Sequence, residues 1–197
     1  MWLCIGLIAI FALYRVAPVT AQNWTLEHLA LIPVLFYAQL QGGLDPTALL
    51  PLISYNFLHH DWMHVLINAA MLLAFGSLIE RHVGTSLFLS LFILCGVGGG
   101  VAQLLLTGPQ VAVVLGASAG AYGAIGAAVP LLFNGNLAST RKRALIFVAV
   151  IMGLNLVLGL FGGGLLTGGA AIAWQSHLGG FITGLLLMTV LRRLNWA

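Results

Sequence analysis

Residues 115–134 read LGASAGAYGAIGAAVPLLFN, twenty positions without a charge, and most of the first twelve are glycine, alanine or serine. A run of this length and polarity predicts a membrane-crossing helix. Gly116, Gly120, Gly123 and Gly126 strip side chains from around Ser118 at one end of it. Taken alone, the stretch leaves two readings of Ser118 open. It bonds to a carbonyl one turn earlier or to a neighbouring helix, as membrane serines usually do. Or it is a nucleophile at a helix N-terminus whose exposed amides favour an oxyanion.

The surrounding chain shares this polarity. Of its 197 residues 61% are apolar and 6% charged, with a mean hydropathy of +1.09. Water-soluble domains carry about 25% charged residues, so the composition is that of an all-α, polytopic membrane protein, and the length suits a single domain over 1–197. Apolar runs predict spans at 1–17, 62–81, 86–107, 115–134, 143–162 and 170–191, a six-transmembrane-helix bundle. Between the first two lies a long outer loop, 18–61, holding Pro18, Pro33, Pro46 and Pro51. Its apolar part, Leu26 to Leu40, is too short and interrupted to span, and is expected in the interface or against the bundle. Trp2 to Ala12 lacks a basic flank and a cleavage site, so it is expected to remain as the first span rather than act as a signal peptide. Cys4 and Cys95 lie in apolar stretches and are expected as core residues without a disulfide. No internal repeat points to transporter halves, which weakens a proton-relay transporter reading.

The net charge of +3 comes chiefly from Arg141-Lys142-Arg143 and Arg192-Arg193. These are topology signals rather than a nucleic-acid surface. With six spans, they and Arg81 fall on one side, which the positive-inside rule makes cytoplasmic. Both termini are then inside (N-in/C-in), and Arg15 is the single exception. His64 and Asn68 at the start of span 2, Ser118 at the start of span 4 and His177 near the start of span 6 share one depth near the outer face.

His177 lies in Ser-His-Leu-Gly-Gly-Phe-Ile-Thr-Gly (176–184). An ionisable group inside a bilayer is costly and points to function, although a histidine that only fixes packing through a carbonyl fits too. His177, Gly180 and Gly184 share one side of a helix, and the two glycines would let span 6 press on span 4 and bring the imidazole to Ser118. His60 and His64, with Asp61, have the i,i+4 spacing of a zinc pair. Alternatively, His64 and Asn68 donate hydrogen bonds to a developing oxyanion. The metal reading lacks further ligands and leaves Ser118 and His177 unexplained, so no metal or cofactor is expected. Glu80 and Arg81, at the cytoplasmic end of span 2, read as an ion pair or helix-end anchor. Glu27, Asp45 and Asp61 are loop or interface residues, so no carboxylate accompanies His177. The expected site is a Ser–His dyad, with Tyr122, four residues after Ser118, placed to stack on the imidazole and orient it.

These residues resemble the rhomboid intramembrane serine proteases. Phe57-Leu58-His59-His60-Asp61-Trp62-Met63-His64-Val65-Leu66-Ile67-Asn68 is similar to the family's span-2 motif, Glu80 and Gly84 fall where the family has a glutamate and glycine, Gly116-Ala117-Ser118 matches its Gly-x-Ser, and His177-x-x-Gly180-x-x-x-Gly184 its span-6 motif. The resemblance implies that Ser118 is nucleophile and His177 general base. It assigns His64, Asn68 and the Ser118 amide to an oxyanion hole, and makes Tyr122 a support for His177. It further implies a six-helix fold with a short span 4 beneath a water-filled cavity, whose substrates are single-span membrane proteins cut within or near the outer edge of their transmembrane helix. Two departures stand out. Ala119 follows the serine where the family usually has glycine, and the Trp-Arg pair of the first loop is absent. The expected activity is an intramembrane serine endopeptidase whose substrates enter between spans 2 and 5, with His59 to His64 lining the water route. The alternative is a rhomboid-like protein without catalysis that binds membrane helices. The expected location is a bacterial inner membrane, with the site opening to the outer face.

Overall fold

The computed structural model describes residues 2–43, 46–132, 138–161 and 172–194. Helix dominates them, because a backbone in lipid must pair its own N–H and C=O groups. Among the described residues the one extended pairing is an isolated antiparallel bridge of Leu31 with Val114. The fold class is all-α. The glycine-rich 162–169 segment and Asp45 lie outside the described residues.

In chain order the helices are α1 (Trp2–Val16), α2 (Val19–Leu29), α3 (Pro33–Gln41) and the short α4 (Pro51–Ser54). There follow α5 (Trp62–Met71), joined by a π-turn at Leu72–Gly76 to α6 (Ser77–Val83), then α7 (Thr85–Thr107), α8 (Ser118–Leu131), α9 (Ala138–Phe161) and α10 (Trp174–Arg193). A helix therefore stands at each stretch expected to span. Among the described residues three stretches are long and apolar enough to cross a membrane by length and composition, namely Trp62–Val83, Thr85–Thr107 and Arg141–Phe161, while Trp2–Val16 is apolar but shorter.

The main core is built from α1 (Leu7, Phe11), the α5–α6 stretch (Val65, Leu72, Ile79), α7 (Phe88, Leu91, Phe92) and the alanines of α8, closed by Met188 of α10. Cys4 and Cys95 are buried and free. Helices α7, α8 and α10 meet backbone to backbone. Gly180 lies against the Ala119 carbonyl, Gly184 against that of Gly123, and Gly126 against that of Phe181. In lipid, such close approach replaces the hydrophobic effect as the source of helix association.

One boundary differs from expectation in a way that shapes the site. The helix read from residue 115 begins at Ser118. Leu115-Gly116-Ala117 is as apolar as a span, but Gly116 adopts φ +129° and gives its N–H to the Tyr55 carbonyl at 2.9 Å, so the helix cannot start earlier. The 18–61 segment packs on the bundle from Ala30 onward, one of the two placements expected for Leu26 to Leu40. α2 has no fully buried residue, whereas Leu31, Phe36, Leu52 and Tyr55 form a second core with Leu104 of α7, and the Tyr37 hydroxyl donates to the Leu104 carbonyl at 2.9 Å.

Candidate active site

Ser118 is the first residue of α8, so amides of that first turn have no intrahelical partner. His177 lies in the first turn of α10. The glycine contacts between these helices bring the side chains together, with Ser118 Oγ 2.7 Å from His177 Nε2. The Tyr122 ring stacks on the imidazole at 4.4 Å between centroids and 8° between planes. A stacked face constrains where the imidazole lies but makes no directional bond to its nitrogens.

That directional bond comes from a residue the sequence reading did not name. Asn155 of α9 places Oδ1 2.6 Å from His177 Nδ1. The signal was present, since Asn155 is a lone amide in the middle of an apolar run, and uncharged polar groups at that depth are bonded to something. With no carboxylate near His177, the orienting role was assigned to Tyr122 instead.

His64 and Asn68 converge on Gly116, two residues before Ser118. A Cβ at Gly116 would lie 2.6 Å from His64 Nε2 and 3.5 Å from Asn68 Nδ2, so both side chains close over a position where only glycine leaves room. The positive φ excludes a side chain there independently. Asn68 is 1% exposed, and its Nδ2 donor has no hydrogen-bond partner among the described residues.

The residues ahead of α5 take other roles than those expected. Asp61 is the N-cap of α5, its Oδ1 accepting the His64 backbone N–H at 2.8 Å. His59 is 2% exposed, so it does not line an open water route. Its Nε2 accepts the Ala117 N–H at 3.3 Å and braces the residue before Ser118. Burial first, then repulsion from His64 and His60, pushes His59 down to about 3, which keeps it neutral and able to accept. Tyr55 adds a second brace, its hydroxyl meeting the Gly96 carbonyl at 2.8 Å and Ser176 Oγ at 3.1 Å. At the far end of the α5–α6 stretch, Glu80 accepts from Thr85 at 3.1 Å and Arg81 donates to Ser77 at 3.3 Å, which suits anchoring of that helix end.

A family model, the Rhomboid domain, matches residues 46–194. The chain belongs to the rhomboid family. Among curated relatives of this rhomboid, RHOMBOID-like protein 4 of Arabidopsis thaliana is 31% identical over 177 residues, 86% of this chain and 42% of that protein. RHOMBOID-like protein 5 of the same plant is 28% identical over 141 residues (71% and 43%), and its RHOMBOID-like protein 6, mitochondrial, is 27% identical over 144 (71% and 43%). The chain spans less than half the length of these curated relatives. Family and apolar helices together mark an integral membrane protein.

Within the rhomboid pattern, the departure at Ala119 has a structural seat. The residue is fully buried, and a Cβ at Gly99 of α7 would fall 2.6 Å from the Ala119 methyl. The extra carbon thus sits over a glycine of α7.

Proposed function

We propose that this rhomboid is an intramembrane serine endopeptidase that cleaves single-span membrane proteins within or near the outer edge of their transmembrane helix. The observation that carries the reading is the 2.7 Å contact of Ser118 Oγ with His177 Nε2 at the first turns of two helices. In the proposed cycle, His177 Nε2 takes the Ser118 proton as Oγ attacks the scissile carbonyl carbon. The oxyanion is received by Asn68 Nδ2, His64 and the Ser118 amide, and collapse expels the amine with the proton from His177. Water, deprotonated by the same nitrogen, then hydrolyses the acyl ester. The unpartnered, buried Nδ2 of Asn68 supports that role, because such a donor is costly unless a transient charge uses it. Tyr122, Gly116, Gly180 and Gly184 support the site without touching reacting atoms.

The proposed setting is a six-span bundle with both termini inside a bacterial inner membrane, the site opening to the outer face. The clustering of basic residues at Arg141-Lys142-Arg143 and Arg192-Arg193, near helix ends, supports the orientation, while the plant relatives speak to the family and not to the membrane. Substrates enter between the α5–α6 stretch and α9, where Phe75 and Phe147 meet at 5.8 Å between ring centroids.

Labelling of the purified protein with a fluorophosphonate, and cleavage of reconstituted single-span substrates, test the reading. Both signals are expected to vanish in Ser118→Ala and His177→Ala. Wild-type protein that neither labels nor cleaves across several substrates would instead favour a helix-binding protein without catalysis.

A further inference from the structure

Helix α9 is held differently from its neighbours. Of residues 141–161 the one that is buried is Asn155, although this stretch is long and apolar enough to cross a membrane. A helix that merely needed to pack would turn a leucine or valine inward, since a polar group in lipid is costly unless bonded. Here the inward residue is an amide with two partners on α10. Its Nδ2 faces the Trp174 carbonyl at 3.4 Å, and its Oδ1 faces His177 Nδ1 at 2.6 Å. One turn on, Gly159 gives room to the Trp174 side chain, where a Cβ would fall 2.6 Å from the Trp174 Cβ.

Each proton in this chain of contacts follows from the one before. A carbonyl only accepts, so the Asn155 NH2 must face Trp174 and its oxygen must face the imidazole. An oxygen acceptor there puts the proton on Nδ1. Nε2 is then left with a lone pair directed at Ser118 Oγ, the tautomer a general base needs.

We infer that Asn155 is the positioning residue for His177, and that seating of α9 on α10 switches the base into its working tautomer. The inference rests on the protease reading for its catalytic meaning, though not for its geometry. Ser118, His177 and Asn155 form a relay in which the third member is neutral and rides on the helix that flanks the proposed substrate entrance. Any displacement of α9 from α10 would remove the Nδ1 acceptor, while Tyr122, stacked on the ring face, would still hold the plane of the imidazole.

Asn155→Leu, nearly isosteric, tests this with two readouts. The rate of fluorophosphonate labelling at Ser118 is expected to fall about 10–100-fold, the range seen when the outer partner that orients a metal-bound histidine is lost. The thermal midpoint should hold, because leucine packs well in an apolar setting. With a cleavable substrate the loss should appear in kcat and not in KM. Asn155→Asp, which when protonated reproduces both the acceptor and the donor, should recover most of the rate. Gly159→Ala, which touches no reacting atom, should lower the rate by pushing α9 off Trp174, and the pair Asn155→Leu/Gly159→Ala should be no worse than Asn155→Leu, since both act by one route. The second readout is independent of activity: nitrogen NMR of imidazole-labelled protein, with His177 identified by its loss in His177→Ala. Wild type should show the Nδ1–H form and Asn155→Leu a tautomer mixture. Unchanged labelling and unchanged tautomer in Asn155→Leu would overturn the inference while leaving the protease reading intact. A wild type that never labels, yet shows an Nδ1–H tautomer dependent on Asn155, would refute the protease reading and uphold the positioning role.

Discussion

A methyl added at Gly180 has nowhere to go. It would fall 2.8 Å from the carbonyl carbon and 3.0 Å from the Cα of Ala119, with the carbonyl oxygen closer still. These are backbone atoms at the start of α8, so no rotamer relieves the clash. Carbon atoms rest about 3.5–4.0 Å apart, so α10 must retreat from α8 by roughly 0.5–1 Å at this point. His177 lies one turn before Gly180 and moves with it. Starting from 2.7 Å, the contact of Ser118 Oγ with Nε2 would open to about 3.5 Å, the edge of hydrogen bonding. A misplacement of about 1 Å at reacting groups costs on the order of 100-fold in rate, or about 2.7 kcal/mol of barrier. Overpacking adds a stability loss of about 1–3 kcal/mol. The assay is the second-order rate of fluorophosphonate labelling, measured with the thermal midpoint for Gly180→Ala and for Gly153→Ala. The latter is a control, because a Cβ at Gly153 meets nothing within 4 Å, and it should match wild type. Labelling of Gly180→Ala within about threefold of wild type would show that the α8–α10 approach does not set the contact, and the 100-fold estimate would fall with it.

Three other substitutions probe separate parts of the site. Asn68→Leu removes a buried donor with no partner, so it should leave the thermal midpoint unchanged or raised while lowering kcat about 100–1000-fold; equal loss of both would make Asn68 a structural residue. Ala119→Gly should cost about 1–2 kcal/mol in stability through lost packing contacts and helix propensity without altering the labelling rate, because the methyl faces Gly99; a large rate gain would place it in the pocket after all. The depressed His59 predicts acid sensitivity: its folded value of about 3 lies below the ordinary 6.5, so only the unfolded chain takes up a proton between the two. Stability from this group is intact above about pH 6.5 and falls by about 1.4 kcal/mol per unit as pH drops toward 3. His59→Gln, which keeps an acceptor for Ala117, should reduce that slope in thermal melts between pH 8 and 5, and an unaltered slope would assign the sensitivity elsewhere.

The parts of the fold that were legible are those where one residue type does one job. Ser118, His177, Gly180 and Gly184 could be read as a converging set because helical spacing and glycine follow directly from close approach, and the structure puts Oγ against Nε2. The start of α8 was not legible, because Leu115 to Ala117 carry no polarity to separate an extended segment from a span; the constraint is a distant carbonyl, that of Tyr55. His59 was misread as lining a water route for a similar reason, since nothing local shows that a histidine next to His60 is buried beneath the Ala117 amide. The proline-broken 18–61 segment gave no period to read, so its inward side chains, Leu31 and Tyr55, emerged only from packing. Asn155 was visible as an anomaly, but its partner lies on another helix, and only the three-dimensional arrangement shows which of the polar groups it meets.

Tyr55 also bears on the order in which the molecule is assembled. Its carbonyl holds Gly116, two residues before Ser118, and its hydroxyl reaches Ser176, the neighbour of His177, across 121 residues of chain. Contacts that close so long a loop form late, because the entropy of closure must be met before they reward it. Tyr55 thus ties the segment ahead of α5 to the starts of both α8 and α10, so a chain whose α7, α8 and α10 have already packed still lacks that clamp until the segment docks.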